Sequence, residues 1–432
     1  MQKSGVSAAL WIPFVWYFLA ASRSVSRWVN PQGFYFVKED YLEGAPLDRN
    51  FSIVLIIVAG LILSRRMRGH WKDWFIDNKY LVALLLFMAV SISWSHLPIV
   101  STKRWIKTVG AVMMVMVIMT ERDQIKAIES LLKRAFIIIL PLSLVFIKYY
   151  RVLGVAWSKD GQNQMWVGIT THKNQLGQVC FTAALFFLWN MIRTGEKRRF
   201  LVSLPLFLLS IVLMNGPGYS RSTTSILVLF VGITVLLGLG SIRHSPEKAR
   251  SKILGGVIVL AFIFLLLQLA ADGFTNRSAL SVALEASGRD VTLTGRTILW
   301  ADIIGEGAKH PLIGAGFGSF WVGDLGNDLW IKHPWKPRQG HNGFVDVFVE
   351  LGFIGLFLLF CLIASRWKTL LKELRDNFEF GRFQLSVFIM LLIHNMTESS
   401  FLRGSHNLWF LFLLVAMSFK LKAKTTAEVE SV

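Results

Sequence analysis

The stretch "RQGHNGFVDVFVELG" at residues 338–352 sets Arg338 and His341 at the entrance to an apolar segment, with Asp346 and Glu350 inside it. Ionisable groups near hydrocarbon are costly, so a cluster of them asks for a function. An imidazole titrates near neutral pH, which suits a base that takes the proton of a hydroxyl nucleophile; His341 supplies that ring here. The plainer alternatives are that His341 caps the following helix or pairs with Asp346. Asp346 and Glu350 are four apart and share a helical face. They could hold Arg or His side chains in place, or form a proton path.

Arginines offer a complementary chemistry. "NGPGYSRST" at 215–223 carries Arg221 at the mouth of an apolar segment, and Arg289 and Arg296 lie in a later polar stretch. A guanidinium keeps its charge and presents a planar fork of donors that suits phosphate oxygens. Each of these arginines could instead be a snorkelling anchor, but several on one face beside a histidine suggest a pyrophosphate site. "THKNQLGQ" at 171–178 adds Lys173 and Asn174, the latter a candidate helix cap. "HNMTESSFLRGSHN" at 394–407 adds Glu398, Arg403 and His406 as further lining. "GAGFGSF" at 314–320 reads as tight turning of an ordered loop rather than a nucleotide cradle, since no strand precedes it. Cys180 and Cys361 read as packed thiols, and no spacing suggests a metal.

Membrane helices must position these groups. Of the 432 residues, 53% are hydrophobic and 17% charged, with a mean hydropathy of +0.51. The apolar residues fall in blocks, as in an all-α polytopic membrane protein. Twelve spans are expected near 7–22, 51–64, 79–95, 105–120, 135–149, 174–192, 200–214, 222–240, 253–271, 342–364, 384–397 and 406–420. The formal net charge of +19 reads as membrane orientation rather than nucleic-acid binding. More than half of the 46 basic residues fall in alternate loops and at the termini, so both termini are expected in the cytoplasm. The first span is expected to be retained rather than cleaved as a signal peptide, because its n-region is weak. One long outer loop, 272–341, is rich in Trp and carries Arg289 and Arg296. Its "GRTILWADIIGEGAKHPLIGAG" is expected to form a short amphipathic helix ending near Pro311.

"WSHLPIVSTKRWIK", "GITTHKNQLGQ", "SRSTTS", "GRTILWADIIGEGAKHPLIGAGFGSF" and "HNGFVDVFVELGFIG" occur in that order. Together they resemble the bacterial O-antigen ligase and polysaccharide polymerase family, especially its exopolysaccharide-polymerase-like branch, over roughly residues 85–410 of a single membrane domain, 1–432. The resemblance implies a multi-pass glycosyltransferase of the bacterial inner membrane, active at its periplasmic face. Its donor would be a glycan on polyprenyl pyrophosphate, and its acceptor a glycan or a lipid core. Membrane lipids, and flippase and chain-length regulator proteins, would be its other partners. Cofactor, metal and nucleic acid would have no part.

By the same resemblance His341 is the base or acceptor-orienting residue, and Arg221 and Arg296 contact the pyrophosphate. Lys173, Asn174 and Glu350 match recurrent positions, while Arg289, Arg338 and Glu398 are candidate substrate contacts. Attack opposite the leaving group would invert the anomeric centre. A secondary transporter is the competing expectation, since many spans and buried carboxylates suit it too. A component that only binds lipid-linked glycan is a third.

Overall fold

The computed structural model describes residues 6–31, 44–157, 163–194, 196–244, 293–333 and 335–417. The expected ninth span, 253–271, the start of the expected outer loop and Arg289 lie outside the described residues.

Helices occupy every other expected span. They are α1 (Trp11–Ala21), α2 (Pro46–Arg66), α3 (Trp71–Asp77), α4 (Lys79–Ser91), α5 (Pro98–Met119), α6 (Gln124–Tyr149), α7 (Lys173–Thr194), α8 (Lys197–Asn215) and α9 (Thr223–His244). After the gap come α10 (Leu293–Gly307), α11 (Gly323–Lys332), α12 (Gly343–Asp376), α13 (Phe378–His394) and α14 (Asn407–Ala416). A two-stranded hairpin pairs Val155–Trp157 with Gln164–Trp166. Sequence signals set several helix starts. Pro46 and Pro98 stand in first turns, where the missing N–H costs nothing. Asp123, Asn342, Asn377 and His406 accept backbone N–H bonds as caps.

Among the described residues, six helices are long and apolar enough to cross a membrane, or seven if the pair α3 and α4, bent by 89°, counts as one. The chain is a multi-pass membrane protein. Besides the ninth expected span, which lies outside the described residues, several expected spans fall short for physical reasons. Lys103, Arg104 and Lys107 interrupt the apolar run of α5, and α1 and α14 are short. In α7, 72% of the apolar stretch is buried, against 17% in α2, so α7 is central and α2 peripheral. Around α7 an aromatic core forms, in which Trp189 stacks on Phe383 at 4.5 Å.

Contacts between helix ends gather polar side chains into two layers. At one layer Arg66 pairs with Glu121 at 2.7 Å, Arg193 with Glu129, and Arg382 with Glu379 at 2.6 Å. The other layer holds the starts of α7 and α12, the end of α13 and the glycine-rich loop.

That loop is seated in a break of α12. At Gly352 the backbone turns to φ 63°, ψ −164°. The interrupted ladder is repaired by a neighbour: Ala315 and Gly316 donate to the Val349 and Glu350 carbonyls at 3.0 and 2.9 Å. Phe353 and Ile354 donate in turn to Pro311 and Leu312 at 2.8 and 3.1 Å. A Cβ at Gly352 would stand 2.3 Å from the Leu312 carbonyl carbon, and one at Gly314 2.4 Å from that of Glu350. Both glycines are therefore required for backbone to meet backbone. The amphipathic helix α10 ends at Gly307, four residues before Pro311. Leu299, Ile303, Phe320, Trp321 and Leu329 give this region its own small core against Val349 of α12.

Candidate functional site

A single carboxylate gathers the polar groups of the second layer. Glu398, on the turn after α13, accepts from His341 Nδ1 and Gln339 Nε2 at one oxygen, both at 3.0 Å. Its other oxygen accepts from Asn174 Nδ2 at 3.1 Å and Arg296 Nη2 at 3.3 Å. Arg296 Nη1 also donates to the Thr397 carbonyl at 2.8 Å. Burial raises the Glu398 carboxyl, but His341, by charge and hydrogen bond, and Arg296 outweigh it and hold it well below the usual carboxylate range. An ionised carboxylate only accepts. Nδ1 of His341 therefore carries the hydrogen of this bond, which leaves Nε2 turned away from the carboxylate. The Glu398 side chain is 7% exposed and His341 20%, so the carboxylate is sealed while the ring reaches out. Nε2 has no hydrogen-bond partner among the described residues.

The ring is held from several sides. His341 has φ 50°, a left-handed backbone that costs about 1 kcal/mol outside glycine and persists where neighbours enforce it. Here the Gly340 N–H donates to Asp346 Oδ1 at 2.8 Å, the Gly340 carbonyl accepts from Trp300 Nε1 at 2.6 Å, and Trp335 lies 5.8 Å from the imidazole.

Two plainer sequence readings are corrected. His341 neither caps α12 nor pairs with Asp346. Asn342 is the cap, bonding the N–H groups of Phe344 and Val345 at 3.0 and 3.3 Å, and Asp346 pairs with Arg403 at 2.8 Å. Asn174 does not cap α7 either. The His172 ring accepts the Gln175 N–H at 3.0 Å, which leaves the Asn174 amide to reach Glu398. Glu350 accepts the Gly318 N–H at 3.0 Å and so braces the glycine-rich loop.

Of the arginines, Arg296 joins the histidine through Glu398. Arg221 is exposed and lies outside the Glu398 cluster, though at the same layer: its neighbour Ser222 packs on Gly177, one turn from Asn174. Lys173 is half-buried at the start of α7. Arg338 lies 5.9 Å from the ring centre of Trp330. Gln339 and Thr397 have no sequence signature of their own; they enter only because the fold sets them beside Glu398.

A cavity of about 410 Å³, within the range of small-molecule sites, lies beyond Asp346, which supports the residue before His341; none of the side chains bonded to Glu398 lines it. Arg104, Lys107, Arg338, Asp346, Glu350 and Arg403 supply its charged lining, and Trp321 part of its wall. Arg104 donates to the Gly318 carbonyl, which ties α5 to the glycine-rich loop. Arg104 and Lys107 fall within the motif "WSHLPIVSTKRWIK", but on sequence alone nothing pairs them with His341.

Comparison with known proteins places these residues in context. The O-antigen ligase family model matches residues 204–360, which include Arg221, Arg296 and His341. The chain is 27% identical over 339 residues to the exopolysaccharide production protein ExoQ of Rhizobium meliloti, covering 73% of this chain and 70% of that one. It is 25% identical over 225 residues to a candidate polysaccharide ligase of Rickettsia felis, covering 46% and 50%.

Proposed function

We propose, from the premise that this chain is an O-antigen ligase and ExoQ-like family protein, that it joins a glycan carried on polyprenyl pyrophosphate to a sugar hydroxyl at the periplasmic face of the bacterial inner membrane. The observation that carries this reading is the convergence of His341 and Arg296 on one buried carboxylate, near a large cavity with several charged side chains in its wall. A transporter needs no base held in one tautomer; a hydroxyl nucleophile does.

In this reading the acceptor hydroxyl gives its proton to Nε2 of His341 as its oxygen attacks the anomeric carbon. The bond from that carbon to the pyrophosphate oxygen breaks, and the pyrophosphate leaves with the electron pair on the opposite face, so configuration inverts. Glu398 stabilises the imidazolium that forms. Arg221, exposed and at the same layer, contacts the pyrophosphate. Arg296 has two nitrogens committed to Glu398 and Thr397; it contributes charge to the leaving group while fixing the carboxylate. Lys173 and Arg289 are further anion contacts. A sugar hydroxyl is a poor acid, so most of the rate comes from positioning and leaving-group stabilisation.

Turnover of a lipid-linked donor by purified protein tests this. Arg221→Ala and Arg296→Ala are expected to lose at least as much rate as His341→Ala. Near-normal turnover in both arginine variants removes the clamp. A proton or solute flux in proteoliposomes without glycan product replaces the enzyme with a transporter.

A further inference from the structure

We propose that the cavity beside His341 is the acceptor pocket, and that it selects an acidic saccharide, one bearing a carboxylate next to the attacking hydroxyl. The proposal rests on the glycosyl-transfer reading above and names the acceptor's chemistry. Its ground is the charge of the lining. Arg403 and Asp346 pair at 2.8 Å and offset one another. Arg104, Lys107 and Arg338 then share the wall with one carboxylate, Glu350, whose oxygen is already bonded to the Gly318 N–H. A cavity with that surplus draws an anion, and guanidinium groups bind a carboxylate with paired donors.

The remaining wall, from Phe317, Trp321, Val347, Phe401 and Leu402, is apolar, which suits the C–H faces of a sugar ring. The pocket approaches the base through neighbouring residues, His341 itself being absent from the lining. Asp346 lines it and binds the N–H of Gly340, next to His341, and Arg338 lies three residues before the base. Arg221 is absent from this lining, so the pocket is separate from the proposed pyrophosphate contact.

Ligand-observed saturation-transfer NMR on the full-length protein in nanodiscs tests the pocket, with cellobiouronic acid and neutral cellobiose as probes. The acid is expected to bind about tenfold more tightly than cellobiose, the value of one charge-assisted contact. Lys107→Gln should lose that tenfold and leave cellobiose unchanged. Lys107→Arg should restore it, which separates lost charge from lost fold, and Arg221→Ala should leave acid binding intact. Equal affinity for the two sugars overturns the proposal, as does acid binding that depends on Arg221 and not on Lys107. Inorganic pyrophosphate binding more tightly than the acid at a Lys107-dependent site overturns it too, by assigning the pocket to a carrier phosphate. Binding requires no turnover, so a protein that holds the acid but transfers no glycan loses the proposed function and keeps the pocket. A protein that transfers glycan but binds both sugars alike loses only the pocket.

Discussion

Two oxygens of Glu398 serve four side chains, and its removal should therefore do more than cut one link. Glu398→Ala leaves Arg296 and His341 without their carboxylate in a sealed environment, a loss of about 3 kcal/mol. Glu398→Gln keeps the shape but no longer fixes the tautomer, so turnover should fall while donor binding persists; equal losses of both would make Glu398 purely structural. The pH dependence follows from the depressed carboxyl. Such a group contributes stability in full above its unfolded value, about 4.3 for Glu, and loses it as pH falls through its lower folded value. The melting-temperature gap between wild type and Glu398→Gln should thus persist from about pH 8 to about pH 5 and close only below that. A gap that closes near neutrality would show that Glu398 is not held ionised. His341 was legible as a titratable ring at the mouth of a span, and Glu398 as a charge on a later turn. Their bond was not, because 57 residues separate them and both plainer partners of His341, the helix end and Asp346, lay nearer in sequence.

At the scale of elements, the break in α12 matters most. Gly352→Ala places a methyl against the Leu312 backbone at a positive φ and should cost about 2 kcal/mol. It should also unseat the loop that Glu350 and Arg104 hold. Hydrogen exchange at Ala315 and Gly316 would report this; exchange as slow as in wild type would mean that the pairing survives. "ELGFIG" gives little sign of the break, because a lone glycine in an apolar run fits a continuous span equally well. The break becomes visible only with its partner strand of glycines, some forty residues earlier. Helix positions, by contrast, were readable from apolar blocks and caps. Span length was less so, since α5 keeps three cations among its first turns and α12 is two helical pieces joined at Gly352 rather than one continuous span.

For the whole molecule, two polar layers on a helical body set the Glu398 cluster at one end and the Arg66, Arg193 and Arg382 ion pairs at the other, which in the proposed function divides chemistry from anchoring. In cells the glycan that accumulates when the gene is deleted should identify the acceptor. Long polymer left on the carrier indicates a ligase, and single repeats indicate a polymerase; an unchanged glycan profile would count against both. The site is divided among α7, α10, the segment before α12 and the turn after α13, and Glu398 is the last of these to be made. On the proposed function, a nascent chain that has released every other member still lacks the carboxylate and should be inert toward lipid-borne sugars until α13 and the turn after it are in the bilayer. Two fragments divided at Asn377 and expressed together should accordingly recover activity that neither possesses alone.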